Sequence, residues 1–206
     1  MAITYPLEQP TTIGIAKIEL RAVNAVATSQ SPFTYKQQII SHGGQRWEAS
    51  VSIPPVRRDL AAEWKAMLMS LKGPTGTFLL GDPDYPVPRG TLRSTTIDNY
   101  AAVSGNKGDS FFTIEMTSSQ SDTLLAGDYV QVGLGADARL YQILEDRQGD
   151  GTVEVWPDLR RDHATEAIIT NDPKGVFRLA SNTTSWSIDN SSSYGISFEA
   201  IEAISG

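Results

Sequence analysis

Two aspartates that follow a glycine, Asp82 and Asp84, are the side chains of this chain best placed for acid–base chemistry. Paired carboxylates act as general acid and base when their surroundings separate their pKa values. Here Pro83 lies between them, Pro86 and Pro88 follow, and no histidine or second pair of acids lies nearby in the sequence. Because proline fixes the backbone, the pattern favours a rigid connection or contact loop over catalysis.

Metal ligands and nucleophiles are scarce. The 206 residues include no cysteine and two histidines, which excludes disulfides and thiolate chemistry and leaves little for a metal centre or a catalytic triad. His42 precedes two glycines and is expected in a turn, and His163 is expected in a solvated loop. Residues 146–151 place acids and a glycine as a calcium loop does, but Pro157 stands where such a loop needs a glutamate. We therefore expect a hairpin there, and no catalytic residue, no metal and no cofactor in the chain.

Negative charge is concentrated in one part of the chain. Residues 92–172 hold six basic and fourteen acidic side chains, a net charge of −8, whereas the other 125 residues carry +1. This break predicts an acidic domain, residues 92–172, inserted in a near-neutral frame of residues 1–91 and 173–206. A charge gradient across a single domain is the alternative. The total of −7 argues against a general nucleic-acid binder, and no apolar run approaches the ~20 residues that span a bilayer.

The frame contains one clear half-buried strand. Within residues 45–53 apolar and polar side chains alternate strictly, which predicts that the apolar ones share one face. A histidine and two glycines at residues 42–44 separate this strand from an aromatic run at residues 33–39 and predict a hairpin turn. Three further strands are expected at residues 175–180, 184–188 and 194–201.

One amphipathic helix follows the alternating strand. Asp59 is the expected N-cap, and Gly73 and Pro74 end the helix. Leu60, Trp64, Met67, Leu68 and Leu71 recur at helical spacing. A helix of about thirteen residues is marginal alone, so it must dock on the sheet, and the frame is expected to be a β-sandwich with one covering helix.

The acidic insert has the pattern of a small barrel. Five short β-rich runs, separated by glycine-containing turns, lie between residues 110 and 170, and such a series is typical of an OB-like barrel. Aromatic side chains on a barrel can stack on sugars, which makes Tyr129, Tyr141 and Trp156 candidate glycan contacts. A carbohydrate-binding module is therefore one alternative function.

Several segments in a fixed order resemble a family of phage proteins. An aromatic strand at residues 32–38 precedes a Gly-Gln-Arg-Trp-Glu strand at 44–48 and a helix that follows Pro-Pro at 54–55. The stretch Gly-Thr-Phe-Leu-Leu-Gly-Asp-Pro at 76–83 and Pro-Arg-Gly at 88–90 complete the set. Together they cover nearly a third of the chain and are similar to the distal tail proteins of siphophages, in the versions from phages of Gram-negative bacteria and related gene-transfer particles.

This resemblance implies a belt domain that assembles as a hexameric ring at the tip of the tail tube, with a peripheral barrel of galectin-like or OB-like type. It implies a structural virion protein that carries no catalytic residues and that is assembled in the host bacterial cytoplasm. Its partners are then copies of itself, the tail tube protein and the tail hub protein. DNA could pass through the lumen without specific binding, and no membrane insertion is expected. Another tail tube or hub subunit is the alternative within the same particle.

The sequence also offers candidates for ring or partner contacts, all within the near-neutral frame. They are Tyr35, Arg46, Arg57, Arg58, Asp82, Asp84, Tyr85 and Arg89.

Overall fold

The computed structural model describes residues 3–95, 101–190 and 192–204. Over these residues the chain forms fourteen strands, one α-helix and two short 3-10 turns. The helix α1 spans Arg58–Ser70, and the 3-10 turns span Gly73–Thr75 and Gly135–Asp137. The strands are β1 (Lys17–Gln30), β2 (Gln37–Arg57), β3 (Phe78–Leu80), β4 (Ala101–Gly105), β5 (Phe111–Met116), β6 (Thr123–Leu124), β7 (Tyr129–Val132), β8 (Arg139–Ile143), β9 (Arg147–Gln148), β10 (Gly151–Trp156), β11 (His163–Ile169), β12 (Gly175–Leu179), β13 (Trp186–Ile188) and β14 (Ser193–Glu202).

Six strands form one antiparallel sheet in the order β1-β2-β14-β12-β3, with β13 also paired to β14. Helix α1 packs on this sheet, and its apolar side chains share a core with those of the strands. The predicted mainly β fold with one amphipathic helix and a small barrel is confirmed. The layer that faces the sheet is the helix, where a sandwich would have a second sheet, because the apolar face of the helix already covers the buried face of the strands.

The alternating strand lies as predicted within β2. Trp47, Ala49, Val51 and Ile53 are all buried, while the side chains between them are partly exposed. This half of β2 is flanked by β1 on one side and β14 on the other. Successive side chains of a strand point to opposite faces of the sheet, and only one face is covered here. Every second residue of this part of β2 is therefore buried.

Helix α1 buries Trp64, Met67 and Leu68 as predicted and also Ala61, whereas Leu60 is only half-buried, and the helix begins earlier than predicted. Its N-cap is Arg57, without a side-chain capping bond, and Asp59 lies in the first turn, where a negative charge favours the helix dipole. Trp64 is fully buried, and its indole N–H donates to the carbonyl of Ile13 at 3.1 Å. In the described part of the chain, no helix is long and apolar enough to cross a membrane.

The hairpin turn predicted at residues 42–44 is wrong, because these residues form a bulge inside β2. They face only one residue of β1, Ala25. Gly43 adopts a φ of +69°, and Gly44 lies so close to Ala25 that an added Cβ would be 2.9 Å from the alanine Cβ. The chain reverses instead at residues 31–36, between β1 and β2.

The barrel is closed by six strands, in the order β10-β5-β4-β11-β7-β8. The sequence predicted five strands, and the one it missed is β4, whose segment Ala-Ala-Val-Ser-Gly carries a single large apolar side chain. All barrel strands lie in the chain between β3 and β12, which are neighbours in the sheet. The exact division at residues 92 and 172 stays a prediction, since side chains of both parts pack together as described below.

Replacing Trp64 with alanine should lower the free energy of unfolding by about 3–5 kcal/mol, because a fully buried aromatic side chain is lost and a cavity is left. Urea unfolding followed by circular dichroism measures the change. The matched control is Met69→Ala on the same helix, whose exposed side chain should make a difference of at most about 0.5 kcal/mol. If both variants lose the same small amount of unfolding free energy, a different face of α1 packs on the sheet.

Candidate assembly surface and the junction beside it

The predicted contact residues lie on four different elements. Tyr35 is exposed in the turn between β1 and β2, and Arg46 lies on β2, where it pairs with Glu48 at 2.6 Å. Arg57 and Arg58 are exposed where β2 passes into α1. The other four lie in the proline-rich loop after β3: Asp82, Asp84, Tyr85 and Arg89.

The proline-rich loop is fixed to the barrel by Asp128, which is fully buried. Its carboxylate accepts hydrogen bonds from the Tyr85 hydroxyl and from the backbone N–H groups of Arg89, Gly90 and Leu125, the last three at 2.9–3.0 Å. Burial and the hydrogen bond to Asp128 raise the pKa of Tyr85 to about 12, so its hydroxyl is a donor at neutral pH. Hydrogen bonds to a buried carboxylate are strong, and the three from Tyr85, Arg89 and Gly90 make the loop the rigid connection that its prolines predict.

Asp82 and Asp84 form a turn within this loop. Oδ1 of Asp82 accepts a hydrogen bond from the backbone N–H of Asp84 at 3.0 Å. Aspartate side chains commonly close turns in this way. Across the described ranges, no cluster of three or more histidine, aspartate or glutamate side chains could hold a metal ion.

The longest protrusion of the sheet is the hairpin formed by residues 24–43, which we call the arm. Strand β14 pairs with β2 only over residues 48–57, so beyond the bulge the two strands of the arm pair with each other alone in the described structure. Its apolar side chains are conspicuously exposed: Phe33 by 91%, Tyr35 by 75% and Ile39 by 63%. The arm therefore presents apolar surface that the rest of the described chain does not cover.

Both faces of the arm are apolar. Ile39 stands opposite Thr28 and Ile40 opposite Ala27, and because successive residues of a strand point to opposite faces, the two isoleucines lie on different faces. Val26, also exposed, adds to the Ile39 face. A sheet that packed on its own core would hide one of these faces.

In the described structure one edge of the sheet is covered by another segment of the chain and the other edge is not. At the β3 edge, Leu7 donates to the Thr77 carbonyl and accepts from the Leu79 N–H, both at 2.9 Å, so the preceding segment covers this edge. At the opposite edge, β1 pairs only with β2 among the described residues. Proteins usually protect exposed strand edges because these pair with other chains. The free edge of β1 continues into the arm and forms one surface with it.

Most of this surface is not predicted from the sequence, which indicates Tyr35 but not Val26, Ile39 or Ile40 as contact residues. The available signal was the loss of alternation beyond Asn24, where the segments of both strands become uncharged and mix small, polar and aliphatic side chains.

Two of the glycan candidates pack between sheet and barrel. The ring of Trp156 meets that of Trp47 edge-on with centroids 4.4 Å apart, and Tyr129 contacts Trp47 at 5.9 Å and Tyr85 at 5.5 Å. The Trp156 indole N–H also donates to Oδ1 of Asn24 at 3.0 Å. These rings belong to the junction and are not a free stacking platform.

The third candidate, Tyr141, is fully buried in the core of the barrel. The prediction that it contacts a glycan is therefore wrong for the folded chain, because it has no surface to offer. Its hydroxyl accepts a hydrogen bond from the backbone N–H of Arg160 at 3.3 Å, and burial raises its pKa. Alternation along a barrel strand does not reveal from sequence alone which face points inward, and here the tyrosine points in.

A buried ion pair joins sheet and barrel. Nε and Nη2 of Arg160 bind the two oxygens of Glu202 on β14 at 2.9 and 2.7 Å, and their side chains are only 12% and 4% exposed. Nη2 of Arg160 also donates to the carbonyl of Gln45, and Glu202 accepts from the Trp47 backbone N–H. Such a bidentate pair fixes the direction in which the two parts meet.

His163 is buried, which corrects the expectation of a solvated loop. It begins β11, its side chain is wholly enclosed, and its ring meets that of Tyr141 edge-on. Burial lowers its pKa below the usual 6.5, against the opposing effect of Glu166, whose carboxylate lies 3.4 Å from Nδ1. That carboxylate is already bound by Arg161 at 2.6 Å. The residues next to His163 in the sequence are charged, and this pattern favours an exposed side chain.

Comparison of the chain with protein-family models and with curated proteins finds no match. The arm, the free β1 edge and the junction are thus the features from which a function has to be argued.

Replacing Glu202 with glutamine should lower the free energy of unfolding by about 3 kcal/mol, because it leaves the buried Arg160 charge without its partner. The matched control is Glu199→Gln on the same strand, whose pair with Arg21 is solvent-exposed and should be worth at most about 1 kcal/mol. Chemical denaturation of both variants gives the comparison. Similar losses would mean that the junction pair does not hold the two parts together.

The stability of the protein should fall as the pH drops below about 6.5, the usual pKa of histidine. The pKa of His163 is lowered by folding, so below this pH the unfolded chain takes up a proton that the folded chain does not bind. Urea midpoints measured between pH 8 and pH 5 should decline less steeply for His163→Gln than for the wild type. His42→Gln should keep the wild-type slope because His163 is intact, and identical slopes for wild type and His163→Gln would contradict the assignment.

Proposed function

We propose that this chain is a non-enzymatic structural subunit of a siphophage tail tip, where copies of it form a hexameric ring between the tail tube protein and the tail hub protein. The observation that carries the proposal is the order of parts. A sheet with one docked helix is interrupted after β3 by a closed barrel and is completed by β12 to β14. This is the belt-plus-barrel organisation that the resemblance implies.

Three of the segments that carry the resemblance share one hydrophobic core. Side chains of β2, α1 and β3 pack together there, although β14 and β12 lie between β2 and β3 in the sheet. The arm tip and the loop that Asp128 fixes lie outside this core. The shared core supports the proposal because these weak sequence matches belong to one packed unit.

The use of the polar side chains also supports a structural role. Asp128, Glu202 and Arg160 are occupied in holding loop, barrel and sheet together. Asp82, the best candidate for acid–base work, turns the backbone. Chemistry-bearing residues are therefore engaged in fixing shape.

The charge distribution fits side-by-side assembly. The near-neutral residues 1–91 and 173–206 can approach those of another copy without strong repulsion, and the acidic barrel stays solvated at the periphery. If an acidic face lines the lumen of the ring, it repels DNA and lets it slide through without specific binding.

The test is the mass of the purified protein by size-exclusion chromatography with light scattering, with negative-stain images of the same peak. Six copies of the 22.4-kDa chain give about 130 kDa and six-fold rings. A stable assembly with another number of subunits contradicts the hexamer, and a protein that remains monomeric at all concentrations contradicts self-assembly.

A further inference from the structure

We propose that the arm docks on the sheet of a second copy of this chain and is the main contact between neighbouring copies. This inference rests on the proposed self-assembly and goes beyond it by naming the segment that makes the contact and the part of the neighbour that receives it.

The first reason is that the two strands of the arm have little packing of their own to stabilise them. Beyond the bulge it consists of two strands with no third strand and no covering helix in the described structure. Two-stranded hairpins without a packed face are marginal in water. A neighbour that covers the arm supplies the packing that its own chain does not.

The second reason is the amount of apolar surface. Phe33 and Tyr35 lie at the tip, and Val26, Ile39 and Ile40 lie along the shaft, all exposed. Aromatic side chains of roughly 150–250 Å² each and three aliphatic ones amount to on the order of 600 Å², against roughly 800 Å² per partner in a standard interface. The free edge of β1 adds backbone donors and acceptors beside it. The arm thus provides most of what a specific contact requires.

The third reason, charge, selects the occupant. The arm carries one formally charged side chain, Lys36, in twenty residues, while the whole chain carries −7. Two such chains repel each other unless they meet through uncharged surface. The sheet part of a second copy has a net charge of only +1 and so adds little repulsion, whereas the barrel, at −8, would lose the solvation of many carboxylates under an apolar arm. The charges therefore favour contact between the arm of one copy and the near-neutral sheet part of another.

The bulge lets the arm leave its own sheet. Three residues opposite Ala25, among them Gly43 with a positive φ, break the ladder between the covered and the uncovered half of β2. Bulges bend a strand and increase its twist. The bulge therefore changes the course of β2 at the point where the arm begins.

Two sets of variants of the full-length chain test the inference by sedimentation equilibrium. Ile39→Thr and Ile40→Thr keep β-branched strand formers on the two faces, and each should weaken self-association at least about tenfold, since a buried aliphatic contact is lost. Leu144→Thr removes an exposed aliphatic side chain from the barrel instead and should leave the association constant unchanged. Circular dichroism spectra must match the wild type in all three.

A cross-linking experiment identifies the docking site directly. The chain has no cysteine, so Thr34→Cys gives a single attachment point at the arm tip for a thiol-reactive benzophenone. Illumination should yield cross-linked dimers, and mass spectrometry should place the link in residues 3–91 or 173–204 of the second copy. Links confined to the barrel, or to the same chain, would overturn the inference.

The outcomes separate this inference from the proposed function. Six-fold rings that survive both isoleucine substitutions overturn the role of the arm and leave the ring intact. An assembly of another size that is lost with these substitutions supports the arm and contradicts the hexamer. A wild-type chain that stays monomeric, or whose arm binds only a different protein, overturns docking on a second copy.

Discussion

The indole of Trp47 lies in the core of the sheet, yet its N–H donates to the Leu140 carbonyl of the barrel at 2.9 Å. Its ring contacts Trp156 and Tyr129 of the barrel, and its backbone N–H donates to Glu202, the partner of Arg160. Buried polar groups must be satisfied, and two of these bonds, from the Trp47 indole to Leu140 and from Arg160 to Glu202, cross the boundary between sheet and barrel. The position of the barrel relative to the sheet therefore depends on this contact region, on the loop that Asp128 fixes, and on a smaller cluster in which Ala138 of the barrel packs against Leu79, Val176 and Ala203.

The junction and the arm differ in how many of their side chains have partners within the described chain. At the junction, aromatic rings, a bidentate ion pair and hydrogen bonds to Asn24 and Gln45 leave little to be gained from another molecule. On the arm, apolar side chains stand in solvent on both faces. The chain is therefore rigidly joined at the junction and leaves apolar side chains exposed on the arm.

How far the sequence predicts this structure depends on how local the signal is. The face of β2 from Trp47 to Ile53 and the buried face of α1 follow from side-chain periodicity alone, and both were predicted. At residues 42–44 the sequence favours a turn where the structure has a bulge, because glycines permit either, and only the continuation of β1 opposite decides between them. For Tyr141 and His163 the sequence predicts exposure, because their burial depends on strands distant in the sequence. The junction contacts join residues from 42 positions apart, in the Arg160–Glu202 pair, to 132 positions apart, in the Asn24–Trp156 pair, beyond the reach of any local pattern.

The central position of β14 has a consequence for how the protein is made. This strand lies between β2 and β12, but it is the last strand along the described chain. Ribosomes release a chain from its N-terminus, and domains fold as they emerge. The barrel, whose strands are all close in sequence, can close while β14 is still being synthesised, whereas β2 must wait with one edge unpaired. A closed barrel also brings the ends of β3 and β12 together and lowers the entropic cost of joining them. Closure of the acidic insert before β14 is synthesised thus places β12 beside β3, so that part of the sheet is already paired when its final strand arrives.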